Sequence, residues 1–363
     1  MSKWLALVTS VIAVISLITF IYLSKPPEEQ LEEFEYPSKE DVIGGRIVGF
    51  ALTYWTSVDL QLVEKAVKRV KEVNSKWVAV LAFCRQTSRE SDQVYVRDAD
   101  FKLASQIAEI AKKAELKVIL YVFLRVEDGS WRGTIKPRDI NKWFESYGRA
   151  VSLYADLCEN MKLDMLCIGS ELTTVESCNE EWTRVIKQVR EEYSGPIVYG
   201  LNWWSSIDEL HQRILKLKWL KELDYIGVDA YFPITSVRKP RIKDATQGWF
   251  NNPQGRNIVA ELEALYKKFK IPLIFTEIGY RSIASALEAP WDWRRTDVYD
   301  ERTQAVGLYA LFKVFYRKPW VKGFILWSWD IGYEYREKDL SYNVYRKQAQ
   351  DVVTQWFKLL SDN

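Results

Sequence analysis

Two glutamates stand where apolar stretches of the sequence end, and they are its clearest sign of chemistry. Glu277 lies near the end of the apolar run 272–278, and Glu171 follows the run 163–169 after a single serine. A charged side chain is costly to bury, so a carboxylate at the end of a buried strand needs a reason. Two facing carboxylates can cleave a glycosidic bond, because one attacks or activates water while the other protonates the leaving oxygen. The pair therefore predicts an enzyme that acts on sugars.

The composition argues against several other kinds of chemistry. The single histidine, His211, cannot supply a set of imidazoles for a metal site, and we expect it to be a solvated helix residue. The net charge of +2 gives no basis for binding nucleic acid. The 16 Trp and 20 Tyr suit stacking on sugar rings, but aromatic side chains also fill cores, so their number alone decides little. We expect no metal and no cofactor.

The four cysteines show no metal-ligand spacing. Cys167 lies inside an apolar run and is expected to be a small buried hydrophobic residue. A disulfide among Cys84, Cys158 and Cys178 in an oxidising compartment stays open, because the sequence selects no pairing.

Apolar runs of strand length alternate with segments of helical periodicity from residue 46 onwards. The expected strands are 47–54, 77–83, 117–124, 163–169, 196–201, 225–231, 272–278 and 323–329. The expected helices are 59–72, 98–114, 141–159, 180–192, 207–220, 257–269, 302–316 and 346–360. Eight such units predict an α/β fold, a single (β/α)8 TIM barrel. An open doubly wound sheet is the alternative, disfavoured because no Gly-x-Gly-x-x-Gly turn follows the first strand.

The barrel would bring the two glutamates together. Active sites of such barrels lie at the carboxyl ends of the strands. Glu171 would end the fourth strand and Glu277 the seventh, so both carboxylates would face one cleft. A salt bridge would explain either glutamate alone, but it explains two at these positions less well.

The amino-terminal part of the chain predicts a membrane anchor. Residues 4–23 are uncharged, largely apolar and long enough to cross a bilayer as a helix. Because no convincing cleavage site follows, we expect an uncleaved transmembrane anchor within residues 1–25, with a cleaved signal sequence as the alternative. Residues 26–43, rich in Pro and Glu, would form a solvated linker to a catalytic domain at 44–363. The expected location is the cell membrane, with a single span and an extracellular catalytic domain.

Several motifs together resemble glycoside hydrolase family 113, a β-mannanase-like group in the large clan of retaining (β/α)8 glycoside hydrolases. They are Gly169-Ser170-Glu171-Leu172, Phe275-Thr276-Glu277-Ile278-Gly279-Tyr280, Trp131-Arg132-Gly133 and Trp143-Phe144-x-x-Tyr147. The resemblance covers the chain from about residue 46. It implies that Glu171 is the general acid/base, that Glu277 is the nucleophile, and that the substrate is β-1,4-linked mannan or manno-oligosaccharides. The clan commonly has Asn before the acid/base; here, as in family 113, the residue differs, and Ser170 would suit an altered contact to the axial 2-hydroxyl of mannose.

Other strand ends supply candidates for the rest of the cleft. The candidates for substrate contact are Tyr54, Arg85, Trp131, Ser170, Asn202, Trp203, Tyr231 and Trp327. By the resemblance, Tyr231 matches the clan's tyrosine that hydrogen-bonds the nucleophile, and Trp327 matches its stacking platform. We expect the Arg85 guanidinium near Glu277, where it would favour the ionised carboxylate. For each aromatic residue, packing at the barrel rim is an equal alternative, and Trp327 is the one that we favour as functional. The roles of Trp291 and Trp293, in a long loop, stay open.

Three hypotheses follow for function. The first is a membrane-tethered retaining β-glycoside hydrolase for β-linked polysaccharide, most directly mannan, with β-glucan or β-galactan as alternatives. The second is a surface sugar-binding protein on the same barrel, although binding alone does not require a pair of protonatable groups. The third is a scaffold for envelope assembly, which leaves both strand-end glutamates unexplained.

Overall fold

The computed structural model describes residues 32–362, which contain a closed barrel of eight parallel strands in chain order. The strands are β1 (Ile47–Thr53), β2 (Trp77–Gln86), β3 (Lys117–Val126), β4 (Met165–Ser170), β5 (Ile197–Asn202), β6 (Tyr225–Asp229), β7 (Leu273–Ile278) and β8 (Val321–Asp330). Every neighbouring pair is parallel, including β1 with β8, which closes the barrel. All eight carboxyl ends therefore open at one mouth. The predicted (β/α)8 barrel is confirmed, and the alternative prediction of an open doubly wound sheet is wrong.

The strands are continuous apolar runs because both of their faces are buried. Every residue of β1, β4 and β7 is buried. One face fills the barrel interior and the other packs against the surrounding helices.

Helices follow the strands and cover the outside of the barrel. They are α1 (Leu60–Glu72), α2 (Asp98–Lys113), α3 (Ile140–Met161), α4 (Asn179–Glu192), α5 (Ile207–Gln212), α6 (Ile242–Gly248), α7 (Ile258–Phe269), α8 (Glu301–Phe315) and α9 (Gln348–Ser361). Side chains of Asp59, Asp139, Asn257 and Asp300 each accept a backbone N–H of the first helical turn. These caps satisfy donors that a helix start leaves without partners.

The helix predicted for residues 207–220 is wrong in its extent. Only α5 forms, and two short 3₁₀ turns, Ile214–Lys216 and Lys218–Glu222, complete the segment. The break lets the Trp219 ring stack on Trp182 with centroids 4.9 Å apart and lets its indole donate to the Glu176 carbonyl. Tertiary packing of one tryptophan has overridden the helical periodicity. The short helix α6 was not predicted.

The compact unit that contains the barrel begins at Tyr36, whose ring packs edge-on against Tyr309 and Trp356. The carboxyl-terminal part of the predicted linker thus belongs to this unit. Within residues 32–362, no helix combines the length and apolarity needed to cross a membrane. The predicted anchor at 4–23 lies outside the described residues.

Candidate active site

Glu171 directly follows β4 in a left-handed backbone conformation, with φ of 54°. Its backbone N–H donates to the Gly200 carbonyl on β5, which fixes this unusual turn. Its carboxylate is mostly buried, and Oε2 accepts the Trp131 indole N–H at 3.1 Å. Gly133 leaves room for the Trp131 ring in this position, because a Cβ at residue 133 would lie 2.4 Å from the ring. The loop motif that contains Trp131 therefore contacts the carboxylate at the end of β4 directly.

Glu277, the penultimate residue of β7, has a tyrosine hydroxyl on each carboxylate oxygen. Tyr121 of β3 donates to Oε1 at 3.1 Å, and Tyr231, just beyond β6, donates to Oε2 at 3.2 Å. Burial raises the pKa of both tyrosines well above the ordinary value, so both hydroxyls remain protonated donors. The structure thus contains the hydrogen bond expected of Tyr231, and Tyr121 supplies a second one that the sequence did not reveal.

Arg132 joins the two glutamates. One of its terminal nitrogens lies 3.0 Å from Glu171 Oε2 and 3.6 Å from Glu277 Oε1. The sum of these distances is the largest separation that the two oxygens can have. It falls at the short end of the roughly 6.5–9.5 Å range of inverting glycosidases and allows the roughly 5–5.5 Å of retaining ones. The guanidinium is held by the Ser170 carbonyl at 3.1 Å and lies 3.9 Å from the Phe123 ring centroid.

A third carboxyl group, Asp229, ends β6 beside this pair and is fully buried. Burial, reinforced by the Glu171 charge, raises the pKa of Asp229 to about 7. Burial also raises the pKa of Glu277 well above its ordinary value, as do Asp229 and Glu171, while Arg132 opposes the rise. Three carboxyl groups around one guanidinium do not all ionise near neutral pH, so the cluster retains at least one proton.

The residues at this mouth, and the barrel around them, match a known family. The sequence profile of glycoside hydrolase family 113 covers residues 54–347 of this chain. The chain belongs to glycoside hydrolase family 113. The chain is therefore a glycoside hydrolase.

Solved structures agree with the family assignment. A family-113 β-mannanase from Alicyclobacillus acidocaldarius, in complex with ManMIm, is 26% identical, with 87% of this chain and 98% of that chain covered and a TM-score of 0.73. A second family-113 β-1,4-mannanase, 24% identical, covers 86% and 98% with a TM-score of 0.73. A Ruminococcus gnavus β-glucuronidase, 14% identical, covers 88% and 51% with a TM-score of 0.59 and shares only the fold. No curated protein sequence matches the chain.

In this family-113 chain, two of the predicted site residues lie elsewhere than expected. Arg85 does not reach Glu277; its guanidinium pairs with Asp100 at the start of α2, at 2.6 Å, and with Glu127. The expectation that Arg85 stabilises the Glu277 carboxylate is wrong, and Arg132 occupies that place. Tyr54 is a core residue, because its ring packs on Phe83 and its hydroxyl donates to the Leu81 carbonyl.

The aromatic side chains of Trp55, Phe123 and Trp327 form one wall of the barrel mouth, which we call the β1–β8 wall. Trp327, partly exposed near the end of β8, lies nearly parallel to Phe123, with ring centroids 6.4 Å apart. Trp55 joins it from the end of β1 and is 48% exposed. Since Arg132 also lies over Phe123, this wall borders the two glutamates.

A second aromatic surface, which we call the tryptophan pair, lies beyond the ends of β5 and β7. Trp203 follows β5 and stacks on Trp291 of the loop after β7, with ring centroids 4.5 Å apart. Asn202, the last residue of β5, is partly exposed and is in register with Asp229. Trp204, by contrast, is buried with its indole on Glu261. Trp203 and Trp291 are thus less buried than Trp204, although the Trp203 ring also contacts Phe232, on which Trp204 packs.

The remaining polar chemistry is sparse. Ser170 is buried, and its hydroxyl donates to Asp229, so it faces the carboxyl cluster rather than the open cleft. Over residues 32–362, no group of three His, Cys, Asp or Glu side chains could hold a metal ion. All four cysteines are free thiols.

Proposed function

We propose that this protein is a retaining glycoside hydrolase that cleaves β-1,4-linked mannan or manno-oligosaccharides. The observation that carries the proposal is the placement of Glu171 and Glu277 at one mouth of the barrel, within 3.0 and 3.6 Å of the same Arg132 nitrogen. These distances allow the roughly 5–5.5 Å separation of carboxyl groups that a covalent double displacement uses.

In the first step, the Glu277 carboxylate attacks the anomeric carbon while Glu171 gives its proton to the glycosidic oxygen. The bond to the leaving sugar breaks, and an ester joins the glycone to Glu277. In the second step, Glu171 removes a proton from water, the water oxygen attacks the anomeric carbon, and the ester bond breaks. Both carboxyl groups return to their starting protonation, so no cofactor is consumed.

The surroundings of the two glutamates support this division of roles. Glu277 is fixed by two tyrosine hydroxyls and is 4% exposed, as suits a nucleophile that must not rotate. Glu171 is anchored through one oxygen by Trp131 and Arg132 and is 8% exposed, closer to where water must enter. Departure of the leaving group requires that Glu171 carry a proton when the substrate is bound.

Mannan is favoured because two similar solved structures, each with a TM-score of 0.73, are described as β-mannanases. The chain also has Ser170 before Glu171, where the clan commonly has asparagine, and the serine hydroxyl donates to Asp229. A β-glucan or β-galactan would keep the mechanism and differ in the orientation of one hydroxyl.

The test is hydrolysis of β-1,4-linked manno-, gluco- and galacto-oligosaccharides by the full chain purified in detergent. Glu277→Gln and Glu171→Gln should each lower kcat by about three orders of magnitude or more on the accepted substrate. On a nitrophenyl glycoside, whose leaving group departs without a proton, azide should raise the turnover of Glu171→Gln, because azide attacks the glycosyl-enzyme without a general base. The product should be a glycosyl azide of retained configuration. An inverted anomer as first product would overturn the retaining mechanism, and cleavage of another glycan alone would overturn mannan.

We further propose that residues 4–23 anchor the chain in the cell membrane with the barrel outside. The support is the uncharged apolar sequence of this stretch and the acidic run after it. Fractionation of cells expressing the full chain should find it in membranes, and a variant lacking residues 4–23 in the soluble fraction. Protease added to intact cells should digest the barrel. Recovery of the full chain from the soluble fraction would refute the anchor.

A further inference from the structure

The Asp229 carboxylate joins the two residues that precede the catalytic glutamates. Its Oδ2 accepts the Ser170 hydroxyl at 2.8 Å, and its Oδ1 accepts the Thr276 hydroxyl at 2.7 Å. Ser170 directly precedes Glu171, and Thr276 directly precedes Glu277. One side chain on β6 therefore ties together β4 and β7 at the level of the reacting groups.

Two glycines make room for this link. A Cβ at Gly200 of β5 would lie 3.0 Å from Asp229 Oδ1 and 3.1 Å from Thr276 Oγ1. A Cβ at Gly227 of β6 would lie 2.7 and 2.8 Å from side-chain atoms of Thr276. Side chains at either position would push Asp229 or Thr276 aside. The Gly200 carbonyl also accepts the Glu171 backbone N–H, so the same small region positions the acid/base directly.

Asp229 also lies within the field of the catalytic pair. The titratable and charged groups around it include Tyr121, Arg132, Cys167, Glu171, Tyr231 and Glu277. Tyr121 connects Asp229 to the nucleophile, because its hydroxyl lies 3.4 Å from Asp229 Oδ1 and 3.1 Å from Glu277 Oε1. A negative charge on Asp229 therefore acts on the proton affinity of Glu277 as well as on the position of its backbone.

We propose that Asp229 is a positioning residue that sets the separation of Glu171 and Glu277 through Ser170 and Thr276, and whose charge sets the pH at which Glu277 ionises. The proposal deepens the proposed function and rests on it for the roles of the two glutamates. It is distinct from a purely structural cross-link, because a cross-link alone would leave the ionisation of Glu277 unchanged.

A matched control exists at the end of β8. Asp330 ends β8 and accepts hydroxyls of Thr53 on β1 and Ser328, so it too joins neighbouring strands, but it contacts neither glutamate. Burial raises the pKa of Asp330, as it does that of Asp229. Asp330→Asn therefore tests the effect of losing a buried strand-end carboxylate away from the catalytic pair.

The deciding measurement is the titration of Glu277 in the full chain by carboxyl carbon NMR, with Glu277→Gln used for assignment. In Asp229→Asn, the Glu277 carboxyl should titrate at lower pH than in the unmodified protein, because a neighbouring negative charge is removed. In Asp330→Asn its titration should not move. An unmoved Glu277 titration in Asp229→Asn, or an equal shift in Asp330→Asn, would overturn the proposal. This readout needs no turnover, so an inactive unmodified protein would refute the proposed function while the titration still decides the inference.

The positional part has its own variants, which keep Asp229 in place. Thr276→Val removes one hydroxyl and should lower kcat about tenfold with little change in KM, whereas Thr276→Ser should restore kcat. Thr276→Val with unchanged kcat on a substrate that the unmodified enzyme cleaves would show that this arm of the link does not position Glu277 and would overturn the proposal. If Asp229→Asn fails to fold, the threonine pair alone provides this test.

Discussion

At the scale of single residues, the acidic groups of the site share one cation, the Arg132 guanidinium. Arg132 is the guanidinium beside Glu171 and Glu277, and Asp229 adds a third acidic group. Arg132 lowers the pKa of Glu277, whereas burial and the two neighbouring carboxyl groups raise it. Arg132 and Asp229 therefore have opposite effects on the same nucleophile, and their removal should shift its titration in opposite directions.

Replacing Arg132 by methionine should raise the pKa of Glu277, because the opposing positive charge is lost while burial remains. The acidic limb of the kcat/KM profile, where the nucleophile becomes protonated, should then move to higher pH, and kcat should fall about 10²-fold or more. The measurement is a pH–rate profile on the accepted oligosaccharide. Arg85→Met is the matched control, since the Arg85 side chain is equally sheltered but pairs with Asp100. An acidic limb that moves equally in both variants, or in neither, would contradict the role of Arg132.

At the scale of elements, the sequence predicted the positions of the strands, because buried strands are continuous apolar runs. Each of the eight predicted strands overlaps an observed one, because a strand covered on both faces leaves a continuous hydrophobic segment. The direction in which a side chain points leaves no comparable pattern in the sequence. Arg85 stands at a strand end as predicted, but the start of α2 places Asp100 beside it. Arg132 lies on a short 3₁₀ turn after β3, where no periodicity marks its target. Its only sequence signal was the Trp131-Arg132-Gly133 motif.

Loops after the strands also create the tryptophan pair, and its contribution can be measured. Trp291→Ala should remove half of the stacking surface and raise KM for long manno-oligosaccharides about tenfold, with kcat almost unchanged, because stacking on a sugar ring stabilises the bound substrate and the transition state equally. Short substrates that do not reach the pair should be unaffected. Trp293→Ala is the control: it lies in the same loop, is 64% exposed, and its ring packs against Arg294. Equal KM values for Trp291→Ala and the unmodified enzyme would exclude the pair from the substrate path.

At the scale of the whole molecule, chemistry and stability occupy opposite ends of the barrel. Arg46 precedes β1 at the amino-terminal end, is 3% exposed, and donates to four backbone carbonyls. These belong to Ile43, Tyr316, Lys318 and Val321, so one side chain joins the start of β1 to the end of α8 and the start of β8. A cation suits the carbonyls at a helix carboxyl terminus. The barrel closes where β1 meets β8, and Arg46 fastens that closure far from the catalytic mouth.

Arg46→Met should therefore lower stability without changing catalysis. The free energy of unfolding should fall by about 3 kcal/mol, because several buried carbonyls lose a charged donor. Urea denaturation of the purified protein measures this loss, and kcat at a temperature where both forms are folded should stay unchanged. Arg317→Met is the control, since Arg317 lies at the same end, is well exposed and pairs with Asp41, a surface pair worth about 1 kcal/mol or less. If Arg46→Met lost kcat in the folded state, strain at the closure would have to reach the carboxylates across the full length of β1 and β8. The inference that catalysis and stability depend on opposite ends of the barrel would then be wrong.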